Sequence, residues 1–103
     1  AKEVILTGRP FSAQDALAWG MLNRLCAPGE VLPAMLETAR TIAGNAPLSV
    51  RQAKKAITQG LQMDRASGML FEIEAYYQLI GTADRVEGIR AFNEKRRPVF
   101  QGR

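Results

Sequence analysis

The stretch DRVEGIRAFNEKRRPVF, residues 84–100, sets the reading of the whole 103-residue chain. Gly81-Thr82-Ala83 precede it as a break. Asp84 offers a carboxylate suited to capping a helix, and Glu87, three residues on, supplies the reciprocal acid of a capping box. Val86, Ile89 and Phe92 then fall on one face before Pro98 stops the pattern. The spacing predicts a helix over 85–96.

Upstream of that break, Leu70, Ile73, Tyr77 and Ile80, supported by Met69 and Tyr76, give the strongest helical period in the chain and predict its longest helix. Val50, Ala53 and Ile57 form a thinner stripe over 48–59, opened by Pro47 in the first turn and stopped at Gly60. Between Val31 and Ala43 the apolar positions Leu32, Met35, Leu36, Ala39 and Ile42 step by three and four, and Pro33 is tolerated in the first turn of that helix. Nearer the start, Ser12 stands as a hydroxyl N-cap three residues before Asp15, with Ala13, Ala16 and Leu17 at helical spacing up to Gly20. Met21–Cys26 reads as a short strand or extended link, and Ala1–Leu6 as a short mixed segment broken by Thr7-Gly8-Arg9-Pro10. Four or five helices are expected. The stripes over 48–59 and 85–96 are narrow for an isolated bundle, so part of this surface is expected to pack on something outside the chain.

Composition narrows the chemistry. With 47% apolar and 23% charged residues, the chain is an ordinary globular one of about one domain's length. It contains no histidine and one cysteine, Cys26, which rules out an internal disulfide, a Ser-His-Asp triad, a Cys-His pair and an ordinary zinc site. No metal site is expected, and Cys26 reads as a small apolar residue. No apolar run reaches the roughly 20 residues that span a bilayer, and no signal-peptide pattern opens the chain, so a cytoplasmic protein with no membrane partner is expected. The formal charge of +4 is distributed as +1 over residues 1–29, zero over 30–83 and +3 over 84–103. That surplus lacks the recognition-helix or stacking motifs of a nucleic-acid binder, so no nucleic-acid partner is expected.

Residues 6–25, LTGRPFSAQDALAWGMLNRL, and residues 84–100 together resemble the closing part of the enoyl-CoA hydratase/isomerase family, the crotonase superfamily. Ala39-Arg40-Thr41-Ile42-Ala43, Pro47-Leu48-Ser49-Val50 and Lys54 fall in register between them, so the resemblance covers essentially the whole chain. It marks the superfamily without distinguishing its members. It implies a mainly α chain, the C-terminal helical part of a crotonase-like (ClpP/crotonase) α/β spiral fold, with one or two short strands at most. Residues 1–29 would end the crotonase core as a short helix plus extended link, and residues 30–103 would form the helical oligomerisation and lid region. The spiral of ββα units would precede Ala1, and the missing initiator methionine agrees with a longer natural chain.

The chemistry so implied is hydration or double-bond shift of an acyl-CoA thioester, with two backbone N–H groups stabilising an enolate oxygen and, in hydratases, two glutamates doing acid and base work. Those groups belong to the part of the family pattern upstream of these residues, so no catalytic residue is assigned here. The resemblance also implies a homo-oligomer, a trimer or a pair of trimers, and no cofactor beyond the substrate's own coenzyme A. It places Phe92 and Lys95 at the adenosine end of CoA. As positions i and i+3 of one helix, they would present an aromatic surface to adenine and an ammonium to phosphate from the same face. Read without the resemblance, Phe92 finishes the Ile89 core stripe and Lys95 is solvated. Glu72 and Glu74 point to different faces of a helix and read as solvated, and Trp19 and the Tyr76-Tyr77 pair read as packing or interface residues. The rival reading from another class is a non-catalytic helical module that self-associates through its loose apolar stripes.

Overall fold

The computed structural model describes residues 1–103, and all of its regular structure is helical. The order is α1 (Lys2–Thr7), α2 (Ala13–Ala18), α3 (Val31–Ala43), α4 (Pro47–Gly60), α5 (Arg65–Ile80) and α6 (Ala83–Asn93). The chain divides into two compact units, Ala1–Thr38 and Ala39–Arg103, with residues of α3 in both. No helix is long and apolar enough to cross a membrane.

In the first unit the local signals act largely as the sequence suggests. Ser12 caps α2 through a complete capping box: its Oγ accepts from the Asp15 N–H at 3.0 Å, and its own N–H donates to the Asp15 carboxylate at 3.1 Å. The Ser12 hydroxyl also donates to that carboxylate at 2.6 Å, and these bonds hold the Asp15 carboxyl below its usual range. At the other end, Gly20 is left-handed (φ 73°), its N–H reaches the Leu17 carbonyl at 3.0 Å, and the Met21 N–H reaches Ala16 at 2.9 Å. This is a Schellman turn. Phe11 and Trp19 close over the short helix with ring centroids 5.3 Å apart. One expectation changes, and one pair of alternatives is narrowed to the extended link. Residues 2–7 form a helix, ended by left-handed Gly8, whose N–H bonds Val4 at 3.1 Å. Met21–Cys26 forms no strand, because no second segment lies alongside to share its backbone hydrogen bonds.

The second unit is built on the α4/α5 hairpin. Pro47 opens α4 at its first turn as expected, and α5, at 16 residues, is the longest helix. α5 starts four residues ahead of its apolar stripe because Asp64 caps it: one carboxylate oxygen accepts from the Ala66 and Ser67 N–H groups at 3.0 and 3.1 Å, and the other from the Ser67 hydroxyl at 2.6 Å. Near the connection the two backbones come close together, where a β-carbon on Gly68 would lie 3.4 Å from the Gly60 carbonyl oxygen. Lys55 Nζ sits 5.4 Å from the centre of the Phe71 ring. The apolar core of the whole chain consists of alanines, Ala16, Ala46, Ala75 and Ala91, and no large side chain is fully buried. The apolar stripes of the helices, including Ile57, Leu70, Val86 and Ile89, stay mostly exposed.

Candidate functional site

A polar cluster in the second unit joins α6 to residues 96–103. α6 is capped by Thr82, whose Oγ1 accepts from the Arg85 N–H at 3.2 Å, and neither Asp84 nor Glu87 caps it. Both acids are buried, at 3% and 9% exposure, and both are turned to the returning tail. Asp84 accepts the Gln101 N–H at 2.6 Å and the Gly102 N–H at 2.8 Å on its two oxygens, while its own N–H donates to the Arg103 carbonyl at 3.0 Å. Glu87 accepts from Arg90 at 2.7 Å, from both terminal nitrogens of Arg96 at 2.6 and 3.0 Å, and from the Val99 N–H at 2.9 Å. Arg96 Nε pairs in addition with Glu94. A buried carboxylate without such partners would be costly; with four donors it is stabilised as the anion. Arg96, then the Val99 amide, then Arg90 hold the Glu87 carboxyl far below the ordinary carboxylate range. Conversely, Glu87 and Glu94 hold Arg96 firmly protonated.

This arrangement also fixes the turn that follows α6. The helix ends at Asn93, three residues before the expected limit. Glu94 is the C-cap, Lys95 is left-handed at φ 52°, its N–H bonds the Phe92 carbonyl at 3.2 Å, and the Arg96 N–H bonds Ala91 at 3.0 Å. The pattern is the Schellman turn of α2 again, with a lysine in place of the glycine. Lys95 therefore lies outside the helix, so the shared helical face expected to present Phe92 and Lys95 together does not exist. The two residues are adjacent in space through the turn instead, joined by that backbone bond. Phe92 is 83% exposed and finishes no core. Lys95 is exposed and makes no ion pair within the chain.

The tail finally passes α6 with the Phe100 ring 3.7 Å from where a β-carbon on Gly88 would stand, and Gly102, left-handed at φ 76°, meets Pro47 at the start of α4. Asp84, Glu87 and Arg96 as a clamp on the tail were missed by the helix-capping reading. The available signal was Pro98: a chain that leaves a helix there must satisfy its backbone amides elsewhere, and the two acids one turn apart are the nearest acceptors. Separately, α4 and α5 border an open, mainly apolar groove of about 700 Å³ whose lining includes Ala53, Ile57, Met69 and Tyr76. Gln52 Oε1 is buried in that region without a hydrogen-bond partner.

Comparison with known proteins agrees with this architecture. The family model described as enoyl-CoA hydratase/isomerase matches residues 1–103. A Bacillus subtilis protein named for enoyl-CoA hydratase/isomerase is 47% identical over 99% of this chain and 39% of its own length. The mitochondrial enoyl-CoA hydratase domain-containing protein 2 of Homo sapiens is 44% identical over the whole chain and 37% of its own length. The solved structure of an enoyl-CoA hydratase from Bacillus anthracis superposes with a TM-score of 0.94 at 42% identity, over 99% of this chain and 40% of that one. This chain thus spans about two fifths of the length of the relatives it matches. Its six helices are the helical part of a crotonase-like fold. On the match of every residue to one family model and on the close superposition of its helices, the chain belongs to the enoyl-CoA hydratase/isomerase family.

Proposed function

We propose that this chain is the C-terminal segment of an enzyme that hydrates an acyl-CoA double bond or shifts it through an enolate. In this reading the oxyanion donors and the acid and base groups lie outside these residues, and the chain itself supplies subunit contacts and part of the CoA entrance. The reaction needs no cofactor, since only protons and water move and the developing oxyanion is met by backbone N–H groups. The cytoplasm is its proposed compartment, a placement that rests on composition alone.

The single observation that carries the reading is the mismatch between finished helices and an unfinished core. α2, α5 and α6 carry side-chain N-caps, yet the buried apolar set is only alanines, while Leu61, Leu70 and Phe92 are 78%, 64% and 83% exposed. At about 25 cal/mol per Å² of apolar surface buried, such stripes stabilise a fold only when covered. The unpaired Gln52 oxygen beside the α4/α5 groove supports the same view, because a buried acceptor without a donor is costly. Coverage by other subunits and by the rest of the enzyme, in a trimer or a pair of trimers, meets both needs. Phe92 and Lys95 are the proposed CoA contacts, adenine on the exposed ring and phosphate on the ammonium.

The test is replacement of the matching segment of the Bacillus anthracis hydratase by residues 1–103. The chimera is expected to hydrate crotonyl-CoA, and Phe92→Ala and Lys95→Ala are expected to raise KM with kcat little changed. A folded, oligomeric chimera whose KM ignores both substitutions removes the CoA site. The exposed stripes also favour a second reading, self-association without catalysis. Sedimentation of the isolated chain as a discrete oligomer that binds no CoA would select it.

A further inference from the structure

Three helices of this chain end in a left-handed residue: Gly8 after α1, Gly20 after α2 and Lys95 after α6. Glycine is the residue such a position ordinarily takes, because a β-carbon there crowds the following carbonyl. At Lys95 the chain accepts that crowding, and the ammonium recovers nothing from it internally, since it forms no ion pair within the chain. A strained backbone position kept with an unneeded side chain directs attention to what that side chain meets outside the fold.

The strained turn is held from both sides. Ahead of Lys95, its own N–H is tied to the Phe92 carbonyl at 3.2 Å. Behind it, Arg96 is tied twice over: its N–H to Ala91 at 3.0 Å, and its guanidinium to both oxygens of Glu87 at 2.6 and 3.0 Å. A planar guanidinium on a carboxylate fixes orientation as well as distance, which a lysine ammonium in its place would not. Glu87 in turn is fixed by Arg90 and by the Val99 N–H, so the residue after Lys95 is anchored to the body of α6 and to the tail together.

We infer that Glu87, acting through Arg96, is a positioning residue for Lys95: the pair holds the left-handed turn from which the lysine ammonium is presented to a phosphate of coenzyme A. This rests on the reading of Lys95 as a CoA contact. Glu87 itself touches no ligand.

A charge effect and a positioning effect carry opposite signs here. Removing the Glu87 carboxylate leaves the surroundings more positive, which by electrostatics alone tightens binding of an anion. Loss of positioning weakens it. The experiment is titration of the 103-residue chain with coenzyme A, followed by NMR, for the unaltered protein, Glu87→Gln and Arg96→Lys, each also in a Lys95→Ala background. Arg96→Lys keeps the charge and leaves the carboxylate in place, so it remains informative if Glu87→Gln disturbs folding. Circular dichroism reports the helices, and amide exchange at Arg96 and Val99 reports the turn.

The expected result is faster exchange at those amides and about fivefold weaker CoA binding in both variants, with no further loss in the Lys95→Ala background, the signature of two residues acting as one unit. Unchanged or tighter binding with a loosened turn overturns the inference, and so does an equal loss with and without Lys95. Absence of CoA binding by the unaltered chain overturns the CoA reading and this inference with it. The two failures are told apart because only failure of the positioning inference alone leaves wild-type binding intact.

Discussion

Replacing Lys95 by glycine should make the protein more stable and a poorer ligand for coenzyme A at the same time. The native turn places residue 95 at φ 52°. For a residue with a β-carbon this region costs about 1–2 kcal/mol relative to the right-handed one. Glycine removes that cost but adds freedom to the unfolded chain, giving back about 0.5–1 kcal/mol. The net gain is about 0.5–1 kcal/mol, and at about 4–8 °C per kcal/mol for a chain of this size it should raise Tm by roughly 2–8 °C. Lys95→Ala is the control: it removes the ammonium but keeps the β-carbon and its crowding, so it should lose CoA binding without gaining stability. Thermal unfolding followed by circular dichroism, with CoA titration of the same samples, reads both effects. A Lys95→Gly protein no more stable than Lys95→Ala would refute the claim that the turn is strained. Full retention of CoA affinity would refute the claim that the strain is kept for the ammonium.

Three further outcomes follow from the clamp and the caps. Asp84→Ala should release the end of the tail, since it removes the acceptor of the Gln101 and Gly102 amides, and should be seen as fast proteolysis after residue 98 while the helices persist. Because the Glu87 carboxyl titrates well below its usual range in the folded chain, its contribution is complete above the ordinary carboxylate pKa and is lost as pH falls beneath it. Amide exchange at Val99, corrected for intrinsic rates, should therefore show protection that holds at neutral pH and declines only in acid. Ser12→Ala should destabilise α2 by about 1 kcal/mol through loss of the capping box, measurable as reduced protection of the Asp15 amide.

The contrast between α2 and α6 shows what the linear pattern could and could not reveal. Both were recognisable as helices from their apolar spacing, and at Ser12 the capping box formed as written because its partners lie three residues apart and need no tertiary support. The same logic assigned Asp84 and Glu87 to capping, and there it failed. Thr82 took the cap, leaving two carboxylates free for amides 12 to 18 residues away. Likewise the apolar spacing with Pro98 as its stop predicts a helix to residue 96, whereas the structure ends it with a left-handed lysine held by the Glu87–Arg96 pair and the returning tail.

What the sequence by itself determined is the five helices from α2 to α6, the start signals at Ser12 and Pro47, the family, and the prospect that the apolar stripes need cover from outside. These depend on neighbours within one or two turns or on motifs in register along the chain, and both are properties of linear order. Only the tertiary structure decided which acids cap and which clamp, where α6 ends, and that Phe92 and Lys95 meet across a turn instead of along a helix. Those choices turn on the competition between near and distant hydrogen-bond donors for the same carboxylates. Spacing along a chain carries no record of the donors that folding brings back from its far end.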